Sequence, residues 1–385
     1  MNRVIVDNFG PIKHADVEFG DLTILVGAQA SGKSLFLELT KLIEDKNPII
    51  KKLKQYGYYL GKNDQKNLLD IYFGEGLSDL WRDNTQVIVD NQEPITIINM
   101  ERDADAKMKE DIFYIPAQRI LSMAEGRAKF FSDFDSSCPY VLRQFSETIR
   151  LFMSNGFGKD NNVVFPIKTR LKTFQKQSFD QSIFHGAEVV MDTDSLQRRM
   201  KLKIDGIDMP FMAWSVGQKE FMPLLMGFYC LSGPPNKVLK KEEYKHVIIE
   251  EPEMGLHPLA IEAILIQVLE LMQSGYKVVI STHSSIPLEF AWAFKFLKES
   301  KKQKKEAALM QMFTSADTNV GWLKGIFDKT IKTYYFSRKE GGVSSVDISS
   351  LEVDDENIDI SEWGGLSSFA TVAGHVVSNF FEEEV

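Results

Sequence analysis

The chain of 385 residues has only two cysteines, Cys138 and Cys230, and neither belongs to a C-x-x-C pair. This scarcity excludes a disulfide-stapled scaffold and gives no support to a zinc site. Long apolar runs are also missing: stretches such as residues 278–280 have the length of a buried strand, far below the ~20 residues that cross a bilayer. The N-terminus enters a strand directly and does not read as a signal peptide. We therefore expect a cytoplasmic protein with no membrane partner.

An excess of positive charge is absent as well. With 45 lysines and arginines against 54 acidic residues, the net charge is −9, which excludes a surface that is basic all round. A local basic groove for nucleic acid stays open. No sustained heptads occur, so a long coiled-coil arm is excluded. The 44% hydrophobic content is enough for one large domain or two medium ones.

The most informative feature that is present is a glycine-rich loop at residues 27–34, G-A-Q-A-S-G-K-S, which matches G-x-x-x-x-G-K-[ST]. An apolar strand at 22–26 precedes it, and residues 35–43 follow with helical spacing. In such a loop the backbone amides and the helix N-terminus cradle phosphates, the lysine reaches the β- and γ-phosphates, and the serine hydroxyl binds Mg²⁺. The sequence therefore predicts ATP and Mg²⁺ binding by Gly27, Ala28, Gln29, Ala30, Ser31, Gly32, Lys33, Ser34 and Leu35.

Two later strands end in chemically useful side chains. The first, residues 246–249, delivers Glu250 and Glu251, whose side chains should point to opposite faces of the pleat. We assign Glu250 to Mg²⁺ and Glu251 to the attacking water. The second, residues 278–280, is followed by Ser281-Thr282-His283. A lone histidine is usually structural, but the order P-loop, acids, histidine favours His283 as a sensor of the γ-phosphate.

Between the P-loop and the acids, Ser215, Gly217 and Gln218 open an apolar helix. Small residues at a helix N-terminus form an anion-binding end, so this segment is a candidate phosphate contact. By itself, the S-x-G-Q pattern is weak evidence for a phosphate contact.

Taken together, these residues resemble the ABC-type P-loop ATPase superfamily, and most closely the branch that contains overcoming-lysogenization-defect (OLD), SMC and RecF proteins. The motifs that carry the likeness run over most of the chain, as Asn8-Phe9-Gly10-Pro11-Ile12, the P-loop, Tyr114-Ile115-Pro116-Ala117-Gln118-Arg119, Ser215-Val216-Gly217-Gln218, Glu250-Glu251-Pro252-Glu253 with Leu256-His257-Pro258, and Ser281-Thr282-His283.

The resemblance implies an α/β fold, with a mixed central sheet flanked by helices as the ATPase head. It implies that two heads pair around two ATP molecules, so that Ser215 and Gly217 of one subunit face the γ-phosphate bound by the other. It also suggests Gln118 as the Q-loop residue that couples Mg²⁺ to a lobe, although a surface glutamine is the alternative. His257 would lie in the loop that communicates across the dimer, or would simply start a helix.

The expected organisation has three parts. Residues 1–121 and 182–290 form the head, and 122–181 form a helical insertion. Residues 291–385 form a small α+β extension with a hairpin at 334–346, turning at Gly341-Gly342, and a final helix near 367–380.

Departures from the family pattern disfavour several functions that occur among its members. The Leu-Ser-Gly-Gly-Gln form of transporters is absent, no coiled coil supports an SMC protein, and no Toprim-like acidic set follows His283. The acidic run at 354–356 reads as a solvated loop. We therefore expect a slow, stand-alone OLD-like AAA-family ATPase that forms a homodimer or higher homo-oligomer and regulates a separate effector, a nuclease or toxin, in anti-phage defence.

The alternative is a RecF-like ATP-dependent DNA-binding protein in repair. A P-loop kinase is disfavoured because the signature and the histidine strand would then have no purpose. The repair reading requires a basic strip in the insertion, for which the candidates are Arg143, Arg150, Lys168, Arg170, Lys172 and Lys176.

Overall fold

The computed structural model describes residues 1–60, 65–95, 109–155, 162–167, 169–192, 198–233, 243–313, 319–353, 355–366, 368, 372–374 and 376. The strands are β1 (Arg3–Phe9), β2 (Ile12–Glu18), β3 (Leu22–Val26), β4 (Trp81–Val89), β5 (Ile112–Ile115), β6 (Met123–Ala124), β7 (Arg127–Ala128), β8 (Val163–Phe165), β9 (Glu188–Asp192), β10 (Arg199–Ile204), β11 (Ile207–Pro210), β12 (His246–Glu250), β13 (Lys277–Thr282), β14 (Ile331–Lys339) and β15 (Gly342–Asp347). The α-helices are α1 (Lys33–Glu44), α2 (Lys46–Gln55), α3 (Gln65–Phe73), α4 (Tyr140–Asn155), α5 (Thr173–Phe179), α6 (Val216–Leu231), α7 (Pro258–Gln273), α8 (Ile286–Glu299), α9 (Lys305–Met310) and α10 (Ile358–Ser361).

A nine-stranded mixed sheet organises the fold, in the order β4-β1-β2-β15-β14-β3-β13-β12-β5. Strands β14, β3, β13, β12 and β5 run parallel to one another, whereas β14 is antiparallel to β15, and β1 is antiparallel to both β2 and β4. The carboxyl ends of β3, β13 and β12 therefore meet at one edge of the sheet, which is where parallel α/β sheets bind ligands. The expected mixed sheet with flanking helices is confirmed.

Helices cover both faces of this sheet. Along β12, Val247 and Ile249 enter one hydrophobic core and Ile248 enters the other, as strand alternation requires. Helices α1 to α3 fill the second core, while α6, α7, α8 and much of α4 fill the first. Because both faces are buried, these strands read as continuous apolar runs in the sequence.

The predicted C-terminal hairpin forms, but its turn residues are Glu340 and Gly341, because Gly342 already pairs with Lys339, and the hairpin does not stand apart from the central sheet. Strand β14 pairs with β3, and β15 pairs with β2, so the hairpin completes the middle of the central sheet. Phe336 of β14 packs edge-on against Phe36 of α1, with their ring centroids 5.4 Å apart. The predicted final helix near 367–380 falls mostly outside the described residues.

The segment expected as a helical insertion contains α4 and α5, together with the short strands β6, β7 and β8. Helix α4 buries Phe145, Ile149 and Phe152 in the first core. Strand β8 joins a second, four-stranded sheet, β11-β10-β9-β8. The turn between β10 and β11 is Asp205-Gly206, and both residues have positive φ, 49° and 78°, as a tight hairpin turn requires.

No helix within the described ranges is both long and apolar enough to span a bilayer.

A buried ionic cluster joins α1 to β5. The ammonium of Lys41 donates to Asp45 Oδ2 at 2.6 Å, to Glu110 Oε2 at 2.9 Å and to the Ile112 carbonyl at 2.7 Å. Burial alone would lower the pKa of Lys41, but the two carboxylates raise it above its ordinary value. Lys41 therefore stays charged, and the cluster holds the end of α1 against the start of β5.

Lys41→Met is expected to destabilise the protein by about 3–5 kcal/mol, because it leaves the buried carboxylate of Asp45 without a cation, whereas Glu110 keeps Lys52 at 3.6 Å. Chemical denaturation measures this loss. Lys66→Met is the matched control, since Lys66 pairs with Asp79 at 3.4 Å on the surface and should contribute below about 1 kcal/mol. Equal stability of the two variants would contradict a stabilising role for the cluster.

Candidate nucleotide-binding site

The glycine-rich loop joins β3 to α1, so the predicted strand, loop and helix order is present. Gly27 has φ 153°, and a Cβ built there would lie 2.8 Å from the Phe336 carbonyl oxygen, so no side chain fits. Ala30 adopts a left-handed φ of 57°, unusual for a residue with a Cβ. Arg338 of β14 donates a hydrogen bond to the Ala30 carbonyl. The C-terminal hairpin thus helps to shape the loop.

Lys33, the first residue of α1, is only 5% exposed and turns back toward the loop. Its ammonium donates to the carbonyls of Gly27 at 2.8 Å and Ala28 at 3.2 Å. Burial lowers the pKa of Lys33 to about 8, and the nearby carboxylates, Glu251 first among them, oppose that shift. Lys33 is therefore a desolvated cation held among acceptors at the edge of the sheet.

The lowered pKa of Lys33 predicts how ATP affinity depends on pH. Phosphates bind the protonated ammonium, so affinity should be nearly constant below about pH 8 and fall above it by up to about tenfold per pH unit. Titration calorimetry between about pH 7 and about pH 9.5 measures this trend. In Lys33→Arg the charge persists and the fall should vanish, whereas a flat wild-type profile would contradict the prediction.

Glu250 ends β12 as a deeply buried carboxylate. The Ala117 amide donates to its Oε2 at 3.3 Å, while its Oε1 has no hydrogen-bond partner among the described residues. Burial raises the pKa of Glu250, and the neighbouring Ser34 hydroxyl and Ala117 amide oppose the rise. An orphaned carboxylate oxygen beside a serine hydroxyl is an oxygen donor set that fits Mg²⁺. No cluster of three or more histidine, cysteine, aspartate or glutamate side chains that could hold a metal by itself occurs in the described ranges.

Glu251, His283 and Lys33 come together although they follow three different strands. The His283 Nε2 atom lies 3.3 Å from Glu251 Oε1 and 3.4 Å from Lys33 Nζ. Strand β13 lies between β3 and β12, which puts the histidine between the P-loop and the acids. Glu251 itself has a left-handed φ of 42°. Such strain in a residue with a side chain persists only where the surroundings impose it.

Glu253 binds the main chain at His283. Its Oε1 accepts hydrogen bonds from the His283 amide at 2.6 Å and from Thr282 Oγ1 at 2.8 Å. The loop after β12 is therefore tied to the end of β13.

The signature segment lies at the start of α6. Ser215 caps the helix: its Oγ accepts from the Gln218 amide at 3.2 Å, and Gln218 Oε1 accepts from the Ser215 amide at 3.1 Å. The side-chain Nε2 of Gln218 also donates to the Ile183 carbonyl at 3.3 Å, so this side chain is hydrogen-bonded within its own chain. A Cβ on Gly217 would lie 3.0 Å from the Gly255 carbonyl, which explains the small residue there. Ser215 is exposed.

Gln118 and His257 are both exposed. Gln118 follows β5 next to Ala117, whose amide bonds Glu250, so it borders the site. The Nδ1 atom of His257 accepts from the Leu259 amide at 3.3 Å, so His257 caps α7, which fits the helix-start alternative.

Sequence reasoning missed two buried residues of this site. Glu38 lies one helical turn after Ser34, and burial, followed by the charge of Glu250, raises its pKa well above the ordinary value. Its i, i+4 spacing from Ser34 could have signalled it. Arg119 is fully buried behind the acids; it ends the motif at residues 114–119 that carries the family resemblance, but sequence reasoning assigned it no role.

Comparison with known proteins adds a partial family match. Residues 184–288 match the family described as "AAA domain, putative AbiEii toxin, Type IV TA system". This range holds the signature, the acids and His283, while the P-loop lies outside it. The match and the presence of the P-loop support a P-loop ATPase. A search of curated protein sequences gave no match.

Several solved structures are similar to this chain. The SMC head domain from Thermotoga maritima has 12% sequence identity and a TM-score of 0.36, with 90% of this chain and 98% of that chain covered. An Smc head domain from Pyrococcus furiosus, bound to the C-terminal domain of ScpA, has 12% identity and a TM-score of 0.37, with 90% and 95% covered. A dimeric bacterial ABC transporter cassette has 10% identity and a TM-score of 0.33, with 73% and 88% covered.

Proposed function

We propose that this chain binds and slowly hydrolyses ATP with Mg²⁺ at the edge where β3, β13 and β12 end. The observation that carries the proposal is the convergence of Lys33, Glu251 and His283, with His283 Nε2 within 3.4 Å of both partners. A lysine, a carboxylate and a histidine at these distances can bind a γ-phosphate and accept a proton beside it.

Each residue then has a defined role. The amides of residues 27–34 and the ammonium of Lys33 bind the phosphates. Ser34 and Glu250 would hold Mg²⁺, with Gln118 at the border of that site, and the ion would neutralise charge on the β- and γ-phosphates. Glu251 accepts the proton of the attacking water, and His283 donates a hydrogen bond to the γ-phosphate.

We propose further that two copies pair head to head around ATP. Ser215 and Gly217 lie at an open helix N-terminus and would complete the phosphate site of the other copy. Close to them along the chain, Met212 and Val216 are each 66% exposed. Exposed apolar residues grouped around a polar motif favour a protein contact there.

ATP-driven pairing would make the chain a switch for a separate effector. The family likeness to OLD-type ATPases and the toxin–antitoxin wording of the matched description support a role in anti-phage defence. That wording describes the family, and here the effector is proposed as another protein, a nuclease or toxin.

The surroundings of the basic residues named for the repair alternative disfavour DNA binding by them. Arg143 and Arg170 are buried and donate to backbone carbonyls, Ile71 for the first and Tyr229 for the second. Arg150 pairs with Glu147 at 2.6 Å, and Lys172 with Glu270 at 2.7 Å. Lys176 is half-buried, and Lys168 lies outside the described residues. These side chains do not provide a free strip of positive charge.

Affinity capture from native cells tests the switch role. Tagged Glu251→Gln with MgATP should retain a stoichiometric partner protein that Lys33→Ala does not retain. Recovery of nuclease-sensitive DNA without a partner protein would contradict the effector proposal and favour the repair function.

A further inference from the structure

Arg119 is a buried cation that binds backbone rather than acids. It is 0% exposed, and the hydrogen bonds described for it all go to main-chain carbonyl oxygens. Its Nη1 donates to the carbonyl oxygens of Glu250 and Glu251, each at 3.2 Å. Its Nη2 donates to the Pro252 carbonyl at 3.3 Å, and its Nε to the Glu220 carbonyl of α6 at 3.1 Å.

These acceptors surround the strained residue. The Glu250 carbonyl belongs to the peptide group before the Glu251 Cα atom, and the Glu251 carbonyl belongs to the peptide group after it. Because one nitrogen of Arg119 holds both oxygens, it restrains φ and ψ of Glu251 together. Without this restraint the left-handed φ of 42° would relax, because that region is unfavourable for a residue with a Cβ.

The direction of the Glu251 side chain depends on those two dihedral angles. With φ in the left-handed region the carboxylate reaches 3.3 Å from His283 Nε2. A relaxed backbone would rotate the Cα–Cβ bond and carry the carboxylate away from His283. A misplacement of about 1 Å can slow an enzyme about 100-fold.

The burial of Arg119 is unfavourable in itself. Desolvation lowers the pKa of Arg119, while the charge of Glu220 raises it most among the neighbouring acids. A buried cation is tolerated when its donors are satisfied, and the planar guanidinium offers donors in a fixed fork that an ammonium lacks.

We propose that Arg119 is a positioning residue for ATP hydrolysis, which holds Glu251 in its left-handed conformation and ties it to the signature helix α6. The inference rests on the proposed function, because it assumes that Glu251 acts on ATP. It assigns the buried arginine a role in the rate of hydrolysis rather than in nucleotide affinity.

The test is a double-mutant cycle with Arg119→Lys and Glu251→Gln, measured as single-turnover phosphate release and as MgATP affinity. Arg119→Lys keeps the positive charge, but one ammonium nitrogen cannot replace the contacts that Nη1, Nη2 and Nε make together, so hydrolysis should fall about 10- to 100-fold with affinity nearly unchanged. In the Glu251→Gln background the same substitution should cause no further loss. Arg143→Lys is the matched control: this arginine is also buried and bonds the Ile71 carbonyl, but away from the site, so hydrolysis should not change.

An unchanged rate of phosphate release in Arg119→Lys would overturn the inference. An equal loss of rate in the wild-type and Glu251→Gln backgrounds would also overturn it, because it would indicate a purely structural role. Thermal unfolding verifies that the variants fold. If Arg119→Lys does not fold, Arg119→Gln, which retains two N–H donors, takes its place with the same expectations. Wild-type protein that releases no more phosphate than Lys33→Ala would instead overturn the proposed function, so the two failures are distinguishable.

Discussion

Glu251→Gln should lower steady-state ATP hydrolysis by about 10²- to 10⁴-fold, because an amide cannot accept the proton of the attacking water. ATP affinity should remain close to the wild-type value, since the phosphates are bound by the loop and by Lys33. The amide is nearly isosteric with the carboxylate and can keep the contact with His283, which is 3.3 Å long in the wild type. Phosphate release and titration calorimetry together measure this separation of rate from affinity.

The Glu251→Gln protein should also accumulate as the ATP-bound head-to-head dimer, because hydrolysis no longer separates the two copies. Light scattering with MgATP measures the mass. Glu188→Gln is a suitable control, since Glu188 is an exposed glutamate on β9 of the second sheet. Equal hydrolysis by wild type and Glu251→Gln would reject Glu251 as the base.

Lys33→Ala should abolish useful nucleotide binding. The lost contacts are charge-assisted hydrogen bonds to phosphate, worth about 1.5–3 kcal/mol each, so affinity should fall about 100-fold or more. The fold should survive, because the hydrogen bonds of Lys33 in this structure go to loop carbonyls, Gly27 at 2.8 Å and Ala28 at 3.2 Å. Calorimetric titration with ATP measures the loss.

Lys66→Ala provides the comparison for Lys33→Ala. Lys66 is an exposed lysine paired with Asp79 at 3.4 Å, and its removal should leave ATP affinity unchanged. If Lys33→Ala bound ATP as tightly as this control, the glycine-rich loop would not be the phosphate site.

The parts of the site that sequence predicted are those with local signals. The loop has a fixed motif between a strand and a helix, and β3, β12 and β13 are apolar runs that end in polar residues. Buried parallel strands place such ends at one edge of a sheet, so Lys33, Glu251 and His283 could be assigned to one site from their motifs and the family resemblance, although their contacts could not.

The position of the C-terminal hairpin could not be predicted in the same way. Strand β14 begins at Ile331 and pairs with Leu22 of β3, far away along the chain. A local pattern gives the hairpin and its turn but not its neighbours, because register between distant strands depends on the whole fold. The hydrogen bond from Arg338 to the P-loop residue Ala30 was therefore not predictable from the sequence.

The conformation of Glu251 was equally inaccessible. Nothing in Glu250-Glu251-Pro252 indicates a positive φ. The hydrogen bonds that flank it come from distant parts of the chain: Arg119 donates to the carbonyls on both sides of the Glu251 Cα atom, and the Glu251 amide donates to the Ser281 carbonyl at 2.9 Å. Tertiary contacts here override the backbone preference of a glutamate.

Phosphate release from MgATP by wild type, Lys33→Ala and Glu251→Gln, measured side by side with ATP affinity, tests the central claim most directly. The account predicts slow release by the wild type, no binding by Lys33→Ala, and binding without release by Glu251→Gln. Release at the same rate by all three proteins, or by none, would contradict the claim that the ends of β3, β13 and β12 form one ATP-hydrolysing site.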